Sequence, residues 1–373
     1  MYGETRSSSG VLEQDRLEGR QAVTRDDDGR GAVSTCKEGS RRAGSKTETK
    51  DGLNRNLDLL RALAVLAVLI DHFLRMFGYR VPMATGIGTA GVLLFFVHTS
   101  LVLMLSLERR GSTIRQFYIQ RFFRIYPLAV LVIVLCVSLR IPADPLNLFQ
   151  ASYEWHGWTW LVPNLLLIQN LTRTSSVTGP LWSLPFEVQM YLLLPFIFLV
   201  AKSKQAIPKL LALSVASVFF LQWLPLLWAP FFLSGVIAFV VRKNRLRRIP
   251  AVILPLAIAV FVVLNAVSGL RLGIGWLTCT AFGFLLPRFA EIQNRPLTAV
   301  SHVIARYSYG IYLAHVPILW FSFVALRAAG WLQWLMFAVL IISVPVALFH
   351  VIENPFIQAG RRITASKGVA VAA

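Results

Sequence analysis

Beyond about residue 56 the chain is an alternation of apolar runs and short basic loops. The runs fall at about 57–77, 86–107, 125–141, 184–201, 207–223, 226–241, 250–269, 272–287, 309–328 and 332–352. A helix needs ~20 apolar residues to cross a bilayer, and these runs reach or approach that length. The pattern predicts an all-α, polytopic membrane helix bundle of about ten transmembrane helices. Basic residues orient it: Arg109 to Arg124, the RKNRLRR segment at 242–248, and Arg361, Arg362 and Lys367 fall on one side if there are ten spans. By the positive-inside bias that side is cytoplasmic, which puts both termini there. The connection at about 142–183 is then external. Its WTWLVPNLLLIQNL segment is too short to cross, and reads as interfacial or re-entrant with Trp158 and Trp160 as interface anchors.

Composition agrees with the pattern. Hydrophobic residues make up 56% of the chain and charged residues 15%, with a mean hydropathy of +0.62, too apolar for a soluble domain of 373 residues. The net charge of +19 does not indicate nucleic acid. Residues 1–51 hold ten basic and ten acidic residues, and the surplus lies in loops between apolar runs. Residues 1–55, poor in large apolar side chains, read as a disordered hydrophilic tail. The first fifty residues lack the apolar core of a cleaved signal, so the first span is expected to serve as an uncleaved insertion signal. The domain proper is expected at 56–358, with a short cytoplasmic tail at 359–373. Cys36, Cys136 and Cys279 have neither metal-ligand nor disulfide spacing and read as packing residues. No metal motif, glycine-rich nucleotide loop or GxSxG elbow occurs, nor any inverted pair of broken spans of the transporter kind.

Chemistry concentrates in the first span, which carries Asp58, Arg61, Asp71 and His72. Ionisable groups inside a membrane span are expensive and each asks for a reason. Arg61 and His72 are eleven residues apart, about 20° past three full turns at ~100° per residue, so they share a helix face. Asp58 is one turn from Arg61, so Arg61 reads either as half of a local ion pair at the membrane surface or as a functional cation. His72 is the candidate general base. Glu187, one turn beyond Pro185 in an apolar run, lies by topology towards the external side with His72, where it or the neighbouring Asp71 would orient the imidazole. His98 reads as packing. In FYIQRFFRIYPL, Arg121 and Arg124 read either as headgroup contacts of an interfacial helix or as a phosphate site, since the guanidinium fork suits phosphate oxygens. Tyr312 and His315 share a face, and Glu353 before Asn354 and Pro355 reads as helix termination.

Six stretches, LDLLRALAVLAVLIDHF, GVLLFFVHTS, FYIQRFFRIYPL, GPLWSLPFEVQMYLLLP, YSYGIYLAH and VIENPF, occur in the order found in acyltransferase family 3, which the chain therefore resembles from about 55 to 358. The family comprises bacterial integral membrane proteins that acylate sugars, envelope glycans or natural products. The resemblance implies that Arg61, His72 and Glu187 are catalytic, that Arg61, Arg121 and Arg124 bind the donor, and that Trp182, Ser183, Tyr312 and His315 contact substrate. It implies an acyl-coenzyme A donor, commonly acetyl-CoA, with no bound cofactor. The implied acceptor is a hydroxyl of a free or lipid-linked sugar or glycan, and the setting is the cell membrane. Two departures stand out: Leu93 where members usually carry an acidic residue, and Thr99-Ser100 where they carry Ser-Gly. Some members carry a hydrolase-like domain after the last span; this sequence runs about twenty residues past it, and the chain is expected to act alone or to hand its acyl group to another protein. The competing class is a proton-coupled transporter or flippase using His72, Glu187 and His315 as a relay.

Overall fold

The computed structural model describes residues 48–78, 84–110, 113–143, 153–220, 228–244, 247–269, 271–326 and 329–369. Helices account for the architecture: α1 (Glu48–Met76), α2 (Ala84–Arg110), α3 (Ile114–Ser138), the short α4 (Trp158–Leu166) and α5 (Gln169–Thr172), α6 (Leu184–Ala201), α7 (Ala206–Phe220), α8 (Ala229–Val241), α9 (Ile253–Val267), α10 (Leu272–Leu285), α11 (Arg295–Trp320), α12 (Gly330–Leu348) and α13 (Asn354–Val369). Among the described residues the only strand-like pairing is a single bridge between Ile249 and Phe289. The all-α expectation therefore holds. Five segments are long and apolar enough to cross a membrane: Gly86–Glu108, Ile114–Ser138, Gly179–Ala201, Arg295–Ala325 and Gly330–Ala365. Four charged residues within the apolar stretch of α1 keep it out of that set, and α7 to α10 are shorter.

At the centre, α2 packs against α1, α6, α8, α9 and α10 and buries Leu93, Leu94, Leu101, Leu103 and Met104 almost completely. The outer faces are apolar as well. Leu199, Leu256 and Ile342 are each more than 60% exposed, and α12 buries little beyond Pro345. A chain apolar both inside and out is built for a lipid solvent, and the backbone of its long segments is satisfied within helices as that solvent demands. This is an integral membrane protein.

Three elements begin or end where the sequence pattern does not suggest. The arginine-aromatic segment is not a separate interfacial helix; it is the first half of α3, started by a capping box in which Thr113 and Gln116 satisfy each other's backbone N–H groups. The expected N-terminal tail to residue 55 overlaps α1, which is helical from Glu48; residues 1–47 lie outside the described ones. The expected C-terminal tail is largely α13. A π-turn at Phe349–Glu353 joins it to α12 in one continuous helix, whose end runs antiparallel along α3. There Phe356 stacks near Phe123, and the Gln116 and Gln120 amides donate to the Thr364 carbonyl and hydroxyl at 3.2 and 3.0 Å.

The connection before α6 is an ordered knot. Asn164 is fully buried, its amide donating to the Trp160 and Ser175 carbonyls and its Oδ1 accepting from the Val177 N–H. Gln169 donates to the Leu181 carbonyl at 3.0 Å. Trp158 is exposed as an interface anchor would be. Trp160 is not: it is buried, with its indole N–H donating to Ser175 Oγ, because the knot closes over it. The knot feeds a 3-10 turn, Gly179–Ser183, directly into α6.

Candidate active site

Arg61 of α1 opens onto a cavity of about 90 Å³ bounded by α2, α3, α6 and α11. Its polar lining includes His98, Arg121, Arg124, Glu187 and Tyr191; Val92, Phe95 and Leu103 supply apolar wall. Arg124 is anchored from behind by Glu353, with Nη1 3.0 Å from Oε1. The π-turn that ends α12 brings that carboxylate, itself buried, into the bundle. Tyr191 donates to Glu187 across one turn of α6, and the Tyr309 hydroxyl donates to the Ile125 carbonyl at 2.8 Å. The Arg121 guanidinium lies over the Phe117 ring at 5.8 Å. Arg61 Nε is buried and makes no hydrogen bond among the described residues. Three guanidiniums against one carboxylate in the lining leave the cavity cationic, the condition for holding an anionic group in a low-dielectric interior.

A second cavity, about 150 Å³, lies further along α1 and is lined by Asp71, His72, Arg75, Gly88, Thr89 and Trp182, among others. His72 Nδ1 donates to the Val68 carbonyl one turn back at 2.9 Å. A carbonyl only accepts, so this contact puts the proton on Nδ1 and leaves the lone pair of the neutral ring on Nε2, the atom a general base uses. His315 repeats the device on α11: its Nδ1 is 3.1 Å from the Ile311 carbonyl, and its Nε2 is buried without a hydrogen-bond partner among the described residues. The two rings meet edge to face at 4.9 Å. Asp71 pairs with Arg75 at 2.8 Å. A Cβ on Gly88 would stand 2.6 Å from Asp71 Oδ2, so the close seam between α1 and α2 requires glycine there.

Val92 and Tyr312 line both cavities and form the wall between them. The Tyr312 hydroxyl donates to the Pro180 carbonyl at 2.9 Å and sits 2.6 Å from Ser183 Oγ, so the 3-10 turn holds the wall in place. Ser183 lies on the arginine side and Trp182 on the His72 side. The described residues contain no cluster of three side chains suited to a metal ion.

The family profile described as "Acyltransferase domain" (acyltransferase 3) matches residues 54–350. The chain belongs to the acyltransferase 3 family. Peptidoglycan O-acetyltransferase OatA of Listeria monocytogenes is 29% identical over 184 residues, covering 47% of this chain and 29% of that protein. The chain thus spans less than a third of the length of this curated relative. No solved structure gives a significant match. Family membership makes the chain an acyltransferase and removes the carrier alternative as its class.

The acyltransferase's site differs in several particulars from the sequence expectation. Glu187 does not accompany His72. It faces the arginine cavity, because the 3-10 turn before α6 sets the helix register so that Ser183, Leu184, Glu187 and Tyr191 share one wall. The group that orients His72 is the Val68 carbonyl, and Asp71 is engaged with Arg75. Asp58 does not pair with Arg61; its carboxylate is 2.8 Å from His302 Nδ1 on α11. Arg61 and His72 do open along one side of α1, and Arg121 and Arg124 do face the first cavity. His98, read as packing, lines that cavity, and Glu353, read as a helix stop, anchors Arg124. Only a count of i, i+3 and i, i+4 positions on α2, which places His98 one turn from Phe95 and Val102 near Thr99, hints at the first. Nothing local signals the second. Of the two motif departures, Leu93 lines neither cavity and packs into the core, whereas Thr99 lines the arginine cavity and keeps a hydroxyl there.

Proposed function

We propose that this chain is an O-acyltransferase of the cell membrane that moves an acyl group, acetyl in the simplest case, from an acyl-coenzyme A to a hydroxyl of a sugar or glycan. The observation that carries the reading is the pair of polar cavities back to back inside the bundle, one cationic and one holding an imidazole with its tautomer fixed. Ten apolar helices, α1 to α3 and α6 to α12, would span the membrane with both termini cytoplasmic, in keeping with the basic loops. Coenzyme A phosphates then approach from the cytoplasmic side, with Arg61, Arg121 and Arg124 as the cationic lining that receives the donor. Passage of the pantetheine arm needs more than about 90 Å³, so lining side chains must give way as it enters.

The chemistry follows from the atoms in place. His72 Nε2 accepts the proton of the acceptor hydroxyl as its oxygen attacks the thioester carbonyl. The C–S bond breaks, and the thiolate recovers the proton from the imidazolium. The Val68 carbonyl holds the ring through both halves, and Trp182 offers the apolar face on which a sugar ring stacks. The sugar assignment draws on the relative's printed name, a peptidoglycan O-acetyltransferase.

Protein reconstituted in nanodiscs with radiolabelled acetyl-CoA and an extracted envelope glycan tests the reading. His72→Ala is expected to lower transfer by about 10²-fold or more with unchanged yield and thermal midpoint. Full transfer by that variant would sink the assignment. Arg61→Ala is expected to weaken the apparent affinity for acetyl-CoA, and an unchanged value counts against its donor role.

A further inference from the structure

We infer that His98 is a substrate-contacting residue of the arginine cavity, holding an amide or thioester group of the donor arm through a ring that both donates and accepts a hydrogen bond. His98 is 94% buried in the middle of α2 and lines the cavity. Among the described residues no side chain or backbone group hydrogen-bonds to it, pairs with it or stacks on it, and its ring nitrogens are open to the cavity rather than enclosed by protein. A polar ring that offers its nitrogens to a cavity and to no protein group gains nothing from packing that an apolar residue of similar size would not supply better. Packing is therefore a poor account of it.

The other walls show what the imidazole adds. Guanidiniums only donate, and Glu187 already accepts from Tyr191. The hydroxyl protons of Tyr309 and Tyr312 are committed to the Ile125 and Pro180 carbonyls. A donor arm built of amides and a thioester presents carbonyl oxygens and N–H groups in alternation, and needs partners able to serve either. His98 and the adjacent Thr99 are the lining groups left with both capacities. The cationic wall suits the anionic end of such a donor, and His98 suits its neutral, hydrogen-bonding stem.

This inference rests on the acyl-coenzyme A reading, and the test separates the two. His98→Leu and His98→Gln are compared with wild type in nanodiscs for ligand-free thermal midpoint, KM for acetyl-CoA and kcat, and in cells for acyl content of surface glycans by mass spectrometry. For His98→Leu the expected result is a midpoint equal to or above wild type, because no hydrogen bond within the protein is lost, with KM raised about 5- to 10-fold and kcat within about threefold. His98→Gln, which keeps a donor and an acceptor, is expected to restore most of the affinity. An unchanged KM in His98→Leu overturns the inference. So does a fall in midpoint that tracks the loss of activity in both variants, the signature of a structural histidine. If wild type shows no acetyl-CoA-dependent transfer, the donor reading fails on its own. His98 is then judged by the cellular acylation: reduced acylation at an undiminished midpoint supports a ligand contact, and wild-type acylation by His98→Leu overturns it.

Discussion

Glu353 shows how far a single residue can depart from its local sequence. Before Asn-Pro it looks like punctuation; in the fold it is a buried carboxylate 3.0 Å from Arg124. Removing one partner of a buried pair strands the other, at a cost of about 3–5 kcal/mol when both are fully desolvated and less here, because Arg124 is about a quarter exposed. Glu353→Ala is expected to lower the thermal midpoint measurably and to weaken donor affinity more than kcat, since the guanidinium it anchors is free to leave the cavity wall. Wild-type stability and KM would show that the anchor is dispensable. Residues of this kind were not legible in the sequence for a physical reason: their partner lies 229 positions away, and no periodicity links a site on α3 to the end of α12. Arg61 and His72 were legible because both sit on one helix, where ~100° per residue fixes their relation without tertiary information. His98 fell between these cases, visible as an oddity but not as a wall of a cavity that four other elements complete.

At the level of elements, the helices followed from hydrophobic length, whereas their edges and the connection before α6 did not. The knot around Asn164 is held by polar side chains bonding backbone groups, which leaves no hydrophobic period to read. It nonetheless sets the register of α6, and with it the choice of cavity for Glu187. Asn164→Ala removes the side-chain partners of the Ser175 carbonyl and the Val177 N–H, and is expected to destabilise by about 2–3 kcal/mol and to reduce activity through the displaced 3-10 turn. Full activity with a lowered midpoint would separate the knot from the site. The seam of α2 with α8 shows another relation the sequence conceals. The acyltransferase 3 pattern has Ser-Gly where this chain has Thr99-Ser100, and Gly235 of α8 meets Ser100 at a distance that leaves no room for a Cβ. Ser100 in turn bonds the Phe96 and Val97 carbonyls of its own helix. The close helix approach is thus kept, with the glycine on the opposite helix.

For the whole molecule, the charge pattern and the apolar exterior make one arrangement in the membrane testable. Cysteines introduced at Lys243, beyond α8, and at Glu154, before α4, are both on exposed side chains. A membrane-impermeant thiol reagent is expected to label Glu154→Cys from outside intact cells and Lys243→Cys only after permeabilisation; labelling of both from one side would reverse the proposed orientation. The wall formed by Val92 and Tyr312 then bears on something other than acyl transfer. With the ten helices spanning as proposed, the polar cavities on its two faces would leave only a thin insulating layer, and a cell that depends on its proton gradient must keep that layer closed. The Tyr312 ring, which fills the wall beside Pro180 and Ser183, is expected to act as an electrical seal whenever no donor arm passes between the cavities. Tyr312→Ala is expected to make liposomes carrying the protein leak protons, read as faster decay of an imposed pH gradient, whereas Tyr312→Phe, which keeps the ring, is expected to stay close to wild type.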